Sequence, residues 1–128
     1  MEKYNYKGLN IIIENPVGSI REGKDSKGNA WRTKFFYPYG YIDGTVGADG
    51  GEIDCFIGEH PEADSVYIMH QLKSDGRYDE DKVFLGFLNL QSARDAYLAH
   101  YSTQGYIGKM TAMPFYEFKN NIYKREKK

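Results

Sequence analysis

The chain opens on a short β-branched run, Leu9 to Ile13, which reads as a strand stopped by Glu14-Asn15-Pro16. Residues 15–29 mix glycines with charges, and Asp25-Ser26-Lys27-Gly28-Asn29 reads as a turn between strands. A strand resumes from Ala30 to Tyr37. Pro38 to Gly51 is rich in glycine and is predicted to be a long loop, of the kind that is functional or mobile. Apolar runs at Ile53–Ile57 and Ser65–Leu72 are buried strands, Ser74-Asp75-Gly76 is a turn, and Lys82–Phe87 is the last strand. The period then changes. Asn89 caps a helix over Leu90–Tyr101, with Ala93 and Tyr97 on one face, and Gly105 and Gly108 break it. Pro114 suits the first turn of a second helix that turns Phe115, Phe118 and Ile122 inward, and a basic tail over 119–128 is expected to fray. Strands first and helices last predict an α+β fold: a small antiparallel OB-like β-barrel with two C-terminal helices, in a single domain spanning 1–128.

Composition adds few constraints. With 128 residues, 41% hydrophobic and 27% charged, the chain is ordinary globular protein. A net charge of −1 argues against a general nucleic-acid or membrane-surface binder. No apolar run approaches the roughly 20 residues needed to span a bilayer. The lone Cys55 has no internal disulfide partner, and the N-terminus lacks the apolar core of a signal peptide, so a reducing, cytoplasmic setting is expected. Twelve Tyr and seven Phe fit either β-sheet packing or a wet, aromatic-edged cleft.

Candidate chemistry concentrates at Asp49, Glu52 and Asp54, where the glycine-rich segment runs into a strand. In an extended segment Glu52 and Asp54 point to one face. Crowded carboxylates repel one another unless a hard cation such as Mg²⁺ offsets the charge. On spacing alone, an acidic surface turn explains the same residues.

The flanks add a resemblance. Tyr39-Gly40-Tyr41-Ile42, followed by Asp49-Gly50-Gly51-Glu52-Ile53-Asp54-Cys55-Phe56, resembles the signature of family I soluble inorganic pyrophosphatases. Ile12-Ile13-Glu14-Asn15-Pro16 is similar to the family's Ile-Glu-x-Pro element. Asp79 to Lys82 resembles its second acidic pair and lysine, and His100-Tyr101 its phosphate-contacting tyrosine. The order holds over about residues 10–110, and the chain looks most like the compact domain of this type in phage and prophage proteins.

The resemblance implies Mg²⁺-dependent hydrolysis of pyrophosphate or a related phosphoanhydride by metal-activated water, with Mn²⁺ as the alternative ion. It implies metal ligation by Asp49, Asp54 and Asp79 or Asp81, with Glu14 in the outer shell. Tyr39 would hydrogen-bond at the metal-bound water or a nearby carboxylate. Arg21, Arg32, Lys82, Tyr101 and Lys109 would grip phosphate, Lys24 and Lys34 being alternatives to Arg21 and Arg32. Such a chain could form a homo-oligomer.

One position departs from the pattern. Gly51 stands where the family has the aspartate that acts as general base, so that role falls to Glu52 if it is filled at all. Two functional classes follow: a hydrolase, or a binding module that captures a nucleotide or phosphorylated signal without turnover. A structural domain whose acidic loop merely binds ions is a third.

Overall fold

A computed structural model of the chain describes residues 1–101 and 107–126. Its core is one seven-stranded sheet. The strands are β1 (Glu2–Tyr6), β2 (Leu9–Asn15), β5 (Tyr39–Ile42), β6 (Ile53–Ile57), β7 (Ser65–Leu72), β8 (Tyr78–Leu85) and β9 (Met110–Pro114). Their spatial order is β1-β2-β5-β6-β8-β7-β9. A separate hairpin pairs β3 (Ile20–Lys24) with β4 (Ala30–Lys34), and two helices complete the chain, α1 (Leu90–His100) and α2 (Phe115–Glu126).

The architecture is α+β, as the sequence predicts, and an OB-like arrangement fits it. The sheet is not closed into a barrel, because β1 and β9 are edges that do not pair with each other. Nor is it wholly antiparallel: β6 and β8 run parallel, with β7 returning outside them.

Side-chain alternation divides the sheet into two faces. One face carries Ile11, Ile42, Cys55, Val66 and Val83, and α2 covers it with Phe115, Phe118 and Ile122. The other carries Tyr39, Phe56, Tyr67, Met69 and Phe84, and α1 covers it with Ala93, Ala96 and Tyr97. The capping box of α1 is complete, since the Asn89 side chain accepts from Ser92 N–H at 2.8 Å and the Ser92 hydroxyl returns to Asn89.

Several boundaries differ from expectation; among them, the strand from Ala30 ends at Lys34 and Pro114 closes β9 rather than opening α2. The segment read as a loop from Pro38 contains β5, a central strand, and its glycine is the reason it was hidden. A Cβ at Gly40 would lie 1.8 Å from Ile12 O, so only glycine lets β5 approach β2 this closely. Strand β8 begins at Tyr78, which puts the acidic residues before Lys82 inside the sheet. Residues 119–126, expected to fray, continue α2, where Ile122 is buried and Lys119 Nζ donates to Lys7 O at 2.9 Å. Gly105 lies outside the described residues.

Candidate active site

Within the apolar strand Ile53–Ile57, Asp54 is half-buried, and its cross-strand neighbour explains how that is tolerated. Asp54 and Lys82 are register partners in the parallel β6–β8 pair and share the face covered by α1. Lys82 Nζ donates to Asp54 Oδ2 at 2.9 Å and to the Tyr39 hydroxyl at 2.7 Å, and lies 2.5 Å from Glu80 Oε1. Its residue is only 5% exposed, so a charge is held inside the protein. Burial opposes that charge. The surrounding oxygens of Tyr101, Tyr39, Asp54 and Glu80 outweigh it and keep the ammonium protonated. The ammonium also lies over the rings of Tyr39 and Tyr101, at 5.3 and 5.9 Å from their centroids.

The loop from 43 to 52 delivers Asp49 to this cluster. Thr45 Oγ1 donates to Ile42 O at 2.6 Å and accepts Ile53 N–H at 3.0 Å, tying the loop's two ends. Gly50 turns the chain with φ 88°, and Asp49 Oδ1 accepts Gly51 N–H at 3.0 Å. The Asp49 and Glu80 carboxyl groups share a hydrogen bond, which lowers Asp49, helped by the Gly51 amide. Burial raises Glu80 to about 7 against the pull of Lys82, and the bond to Asp49 adds to the rise. Burial likewise pushes the Tyr39 and Tyr101 phenols up, and their side chains hydrogen-bond to one another. Both stay neutral donors at ordinary pH.

Tyr39, Asp49, Asp54, Lys82 and Tyr101 therefore come together, and Glu80 joins them. Sequence reasoning missed Glu80, although its position two residues before Lys82 on a strand is the signal that puts both on one face. Asp79 instead accepts from Gln71 Nε2 at 3.3 Å, and Gln71 in turn accepts from Tyr97 OH at 3.0 Å. Asp81 faces the other way, 2.7 Å from His70 Nδ1 and 2.9 Å from the Tyr78 hydroxyl. Glu52 is exposed and makes no hydrogen bond among the described residues. With Glu14 its charge bears on Tyr41. Arg21 and Arg32 lie on the exposed β3–β4 hairpin, Arg32 paired with Glu22 at 3.5 Å. Lys109 is exposed, and its carbonyl accepts His70 N–H at 2.9 Å.

A cavity of about 440 Å³ on the α2 side of the sheet is lined by Asp49, Glu52, Glu80 and Asp81 together with apolar residues of the sheet and α2. It meets the cluster only at Asp49 and Glu80, and Tyr39, Asp54, Lys82 and Tyr101 do not line it. Among the described residues, no three carboxylate, imidazole or thiolate side chains converge to cage an ion unaided. That suits Mg²⁺, which takes one or two carboxylates and completes its shell with water and substrate oxygens. The all-oxygen character of Asp49, Asp54 and Glu80, with an ammonium already held among them, fits such a hard cation.

Comparison with solved structures finds a protein from Anaplasma phagocytophilum described as an inorganic phosphatase. It is 18% identical, covers 92% of each chain and has a TM-score of 0.46. An inorganic pyrophosphatase from Coxiella burnetii is 15% identical over 89% of this chain and 90% of that one, with a TM-score of 0.43. No curated protein matches. The model of the inorganic pyrophosphatase family matches residues 1–123, nearly the whole length, and the chain accordingly belongs to the inorganic pyrophosphatase family.

Proposed function

We propose that the chain hydrolyses inorganic pyrophosphate or a closely related phosphoanhydride with the help of Mg²⁺. One observation carries the reading: Asp54 and Glu80 hold the buried Lys82 ammonium, Asp49 hydrogen-bonds to Glu80, and the Tyr39 and Tyr101 side chains lie beside it. Phosphoanhydride hydrolysis asks the protein for positioning and charge compensation rather than covalent chemistry. One or two of the Asp49, Asp54 and Glu80 carboxylates would hold the ion, with water and substrate oxygens completing its shell. When bound, Mg²⁺ neutralises phosphate oxygens and makes an attacking water more acidic. Lys82, fixed by three oxygen partners, keeps a full positive charge for the phosphoryl oxygens. Tyr39 orients Lys82, and Tyr101 offers a neutral hydroxyl beside it. Glu52, on the wall of the same cavity as Asp49 and Glu80, is an unbonded carboxylate able to take the proton, a role for which Gly51 has no side chain.

Phosphate release from pyrophosphate, measured across Mg²⁺ and Mn²⁺ concentrations, tests the reading. The parent should release phosphate only with metal, and Asp54→Asn should abolish it. No release at any metal concentration would refute it. The glycine at position 51 favours one second reading, a module that binds nucleotide or a phosphorylated signal without turnover. That reading predicts a ligand-induced rise in Tm without product.

A further inference from the structure

The β3–β4 hairpin stands outside the main sheet, and most of its residues are exposed. Gly23 pairs with Trp31 and Arg21 with Thr33, so these four share one face of the ribbon. Gly23 sets the pose of the indole: a Cβ there would lie 2.4 Å from Trp31 Cζ2 and 2.7 Å from Cε2. The ring lies across the opposite strand at the glycine, and 40% of the residue remains open to solvent.

Charge on the ribbon is equally uneven. Residues 20–34 carry Arg21, Lys24, Lys27, Arg32 and Lys34 against only Glu22 and Asp25, in a chain whose net charge is −1. Glu22 is taken by Arg32. The Asp25 carboxylate is turned to the Lys27 and Asn29 amides, both at 2.9 Å. Arg21, Lys24, Lys27 and Lys34 have no salt bridge among the described residues. The ribbon is also rooted at the candidate site, since Phe35 stacks on Tyr39 at 5.4 Å between centroids. Trp31 lies four residues up the strand from Phe35, roughly 13 Å at the usual strand rise.

We infer that Trp31 is a stacking platform for a nucleobase, so that the anhydride taken by the site belongs to a nucleoside polyphosphate. An aromatic plane accepts any base face, and Arg21, which shares that face and has no salt bridge among the described residues, favours the attached phosphates. A single exposed indole provides for one base, which fits a mononucleotide rather than a strand. The phosphate end of this inference rests on the phosphoanhydride reading of the site, and the base end rests on the hairpin alone.

Trp31 is the only tryptophan, so its emission reports the platform directly. The protein with Mg²⁺ is titrated with ATP and, separately, with inorganic triphosphate, following Trp emission and Tm. ATP should quench the emission saturably, whereas triphosphate should raise Tm and leave emission unchanged. Trp31→Ala should remove a preference for ATP over triphosphate of roughly tenfold or more, and Trp31→Phe should keep most of it. Gly23→Val, which must displace the indole, should weaken ATP while the tryptophan remains. Unquenched emission, or an unchanged preference in Trp31→Ala, overturns the inference. Pyrophosphate turnover without quenching by ATP would sink the platform and leave the hydrolytic reading standing. Quenching without phosphate release from any substrate would do the reverse.

Discussion

The ammonium of Lys82 sits 2.9 Å from the carboxylate of Asp54, although 28 residues separate them, because β6 and β8 run parallel and set their Cα atoms side by side. Removing one partner from such a buried pair leaves the others uncompensated. Lys82→Met should cost about 3–5 kcal/mol of unfolding free energy at pH 8. The loss should shrink at pH 5, where Glu80 carries a proton. Urea unfolding at both pH values measures it, and a loss near zero at pH 8 would mean that the cluster is hydrated.

Glu80 yields a second pH effect, opposite in sign to that of an ordinary salt-bridged carboxylate. Its folded-state value of about 7 lies above the ordinary 4.5, so the native state holds the proton more tightly than the unfolded chain. Its contribution is fully present below pH 4.5 and is lost as pH rises through 7. In metal-free buffer, Glu80→Gln should therefore gain Tm relative to the parent between pH 5 and pH 8. A constant difference across that range would contradict the raised value.

Positions 51 and 52 can be tested as a pair. If Glu52 takes the proton, Glu52→Gln should lower kcat by roughly 10²–10⁴ and leave KM within a few-fold. Gly51→Asp has room, since a Cβ at 51 meets only the Asp49 carboxylate, at 3.5 and 4.0 Å. It should raise kcat above the parent. Steady-state phosphate release decides both, and an unaffected Glu52→Gln would remove Glu52 from the reaction.

His100 titrates away from the carboxylate cluster. Burial lowers its pKa, its Nδ1 donates to Ala96 O at 2.6 Å, and its Nε2 accepts Phe36 N–H at 3.0 Å. A protonated ring could not accept that amide. The stability it supplies is present above the ordinary 6.5 and falls as pH drops through the lowered value. The Tm advantage of the parent over His100→Gln should narrow from pH 7 to pH 5, as measured by thermal melts. An advantage independent of pH would show that folding does not lower the pKa of the ring.

Much of this was legible in the chain because apolar periodicity and tertiary burial agree. Leu9–Ile13, Ile53–Ile57, Ser65–Leu72 and the Asn89-capped helix are all elements whose own residues make the core. Strands β1 and β3 were not legible, since nearly every side chain in them is exposed and leaves no alternation to read. The Tyr39–Phe56 run pointed to Asp49 and Asp54. The choice among Asp79, Glu80 and Asp81 needed the strand register. A bulge at Gln71/Leu72 interrupts the alternation there, so Asp79 lands beside Gln71 while Asp81 turns to His70. Where Arg21 and Arg32 lie was hidden for another reason: they sit on a hairpin whose placement depends on its root at Phe35.

The parallel pairing of β6 with β8 gives the ion cluster a second task. A slip of one residue in that register would rotate Lys82 into the aliphatic layer beneath α2 and bring Val83 opposite Asp54. Misregistered sheets would thus carry Lys82 and Glu80 together into the aliphatic layer and leave the Asp54 carboxylate without its ammonium. The charges gathered at the candidate site also proofread the assembly of the sheet that carries them.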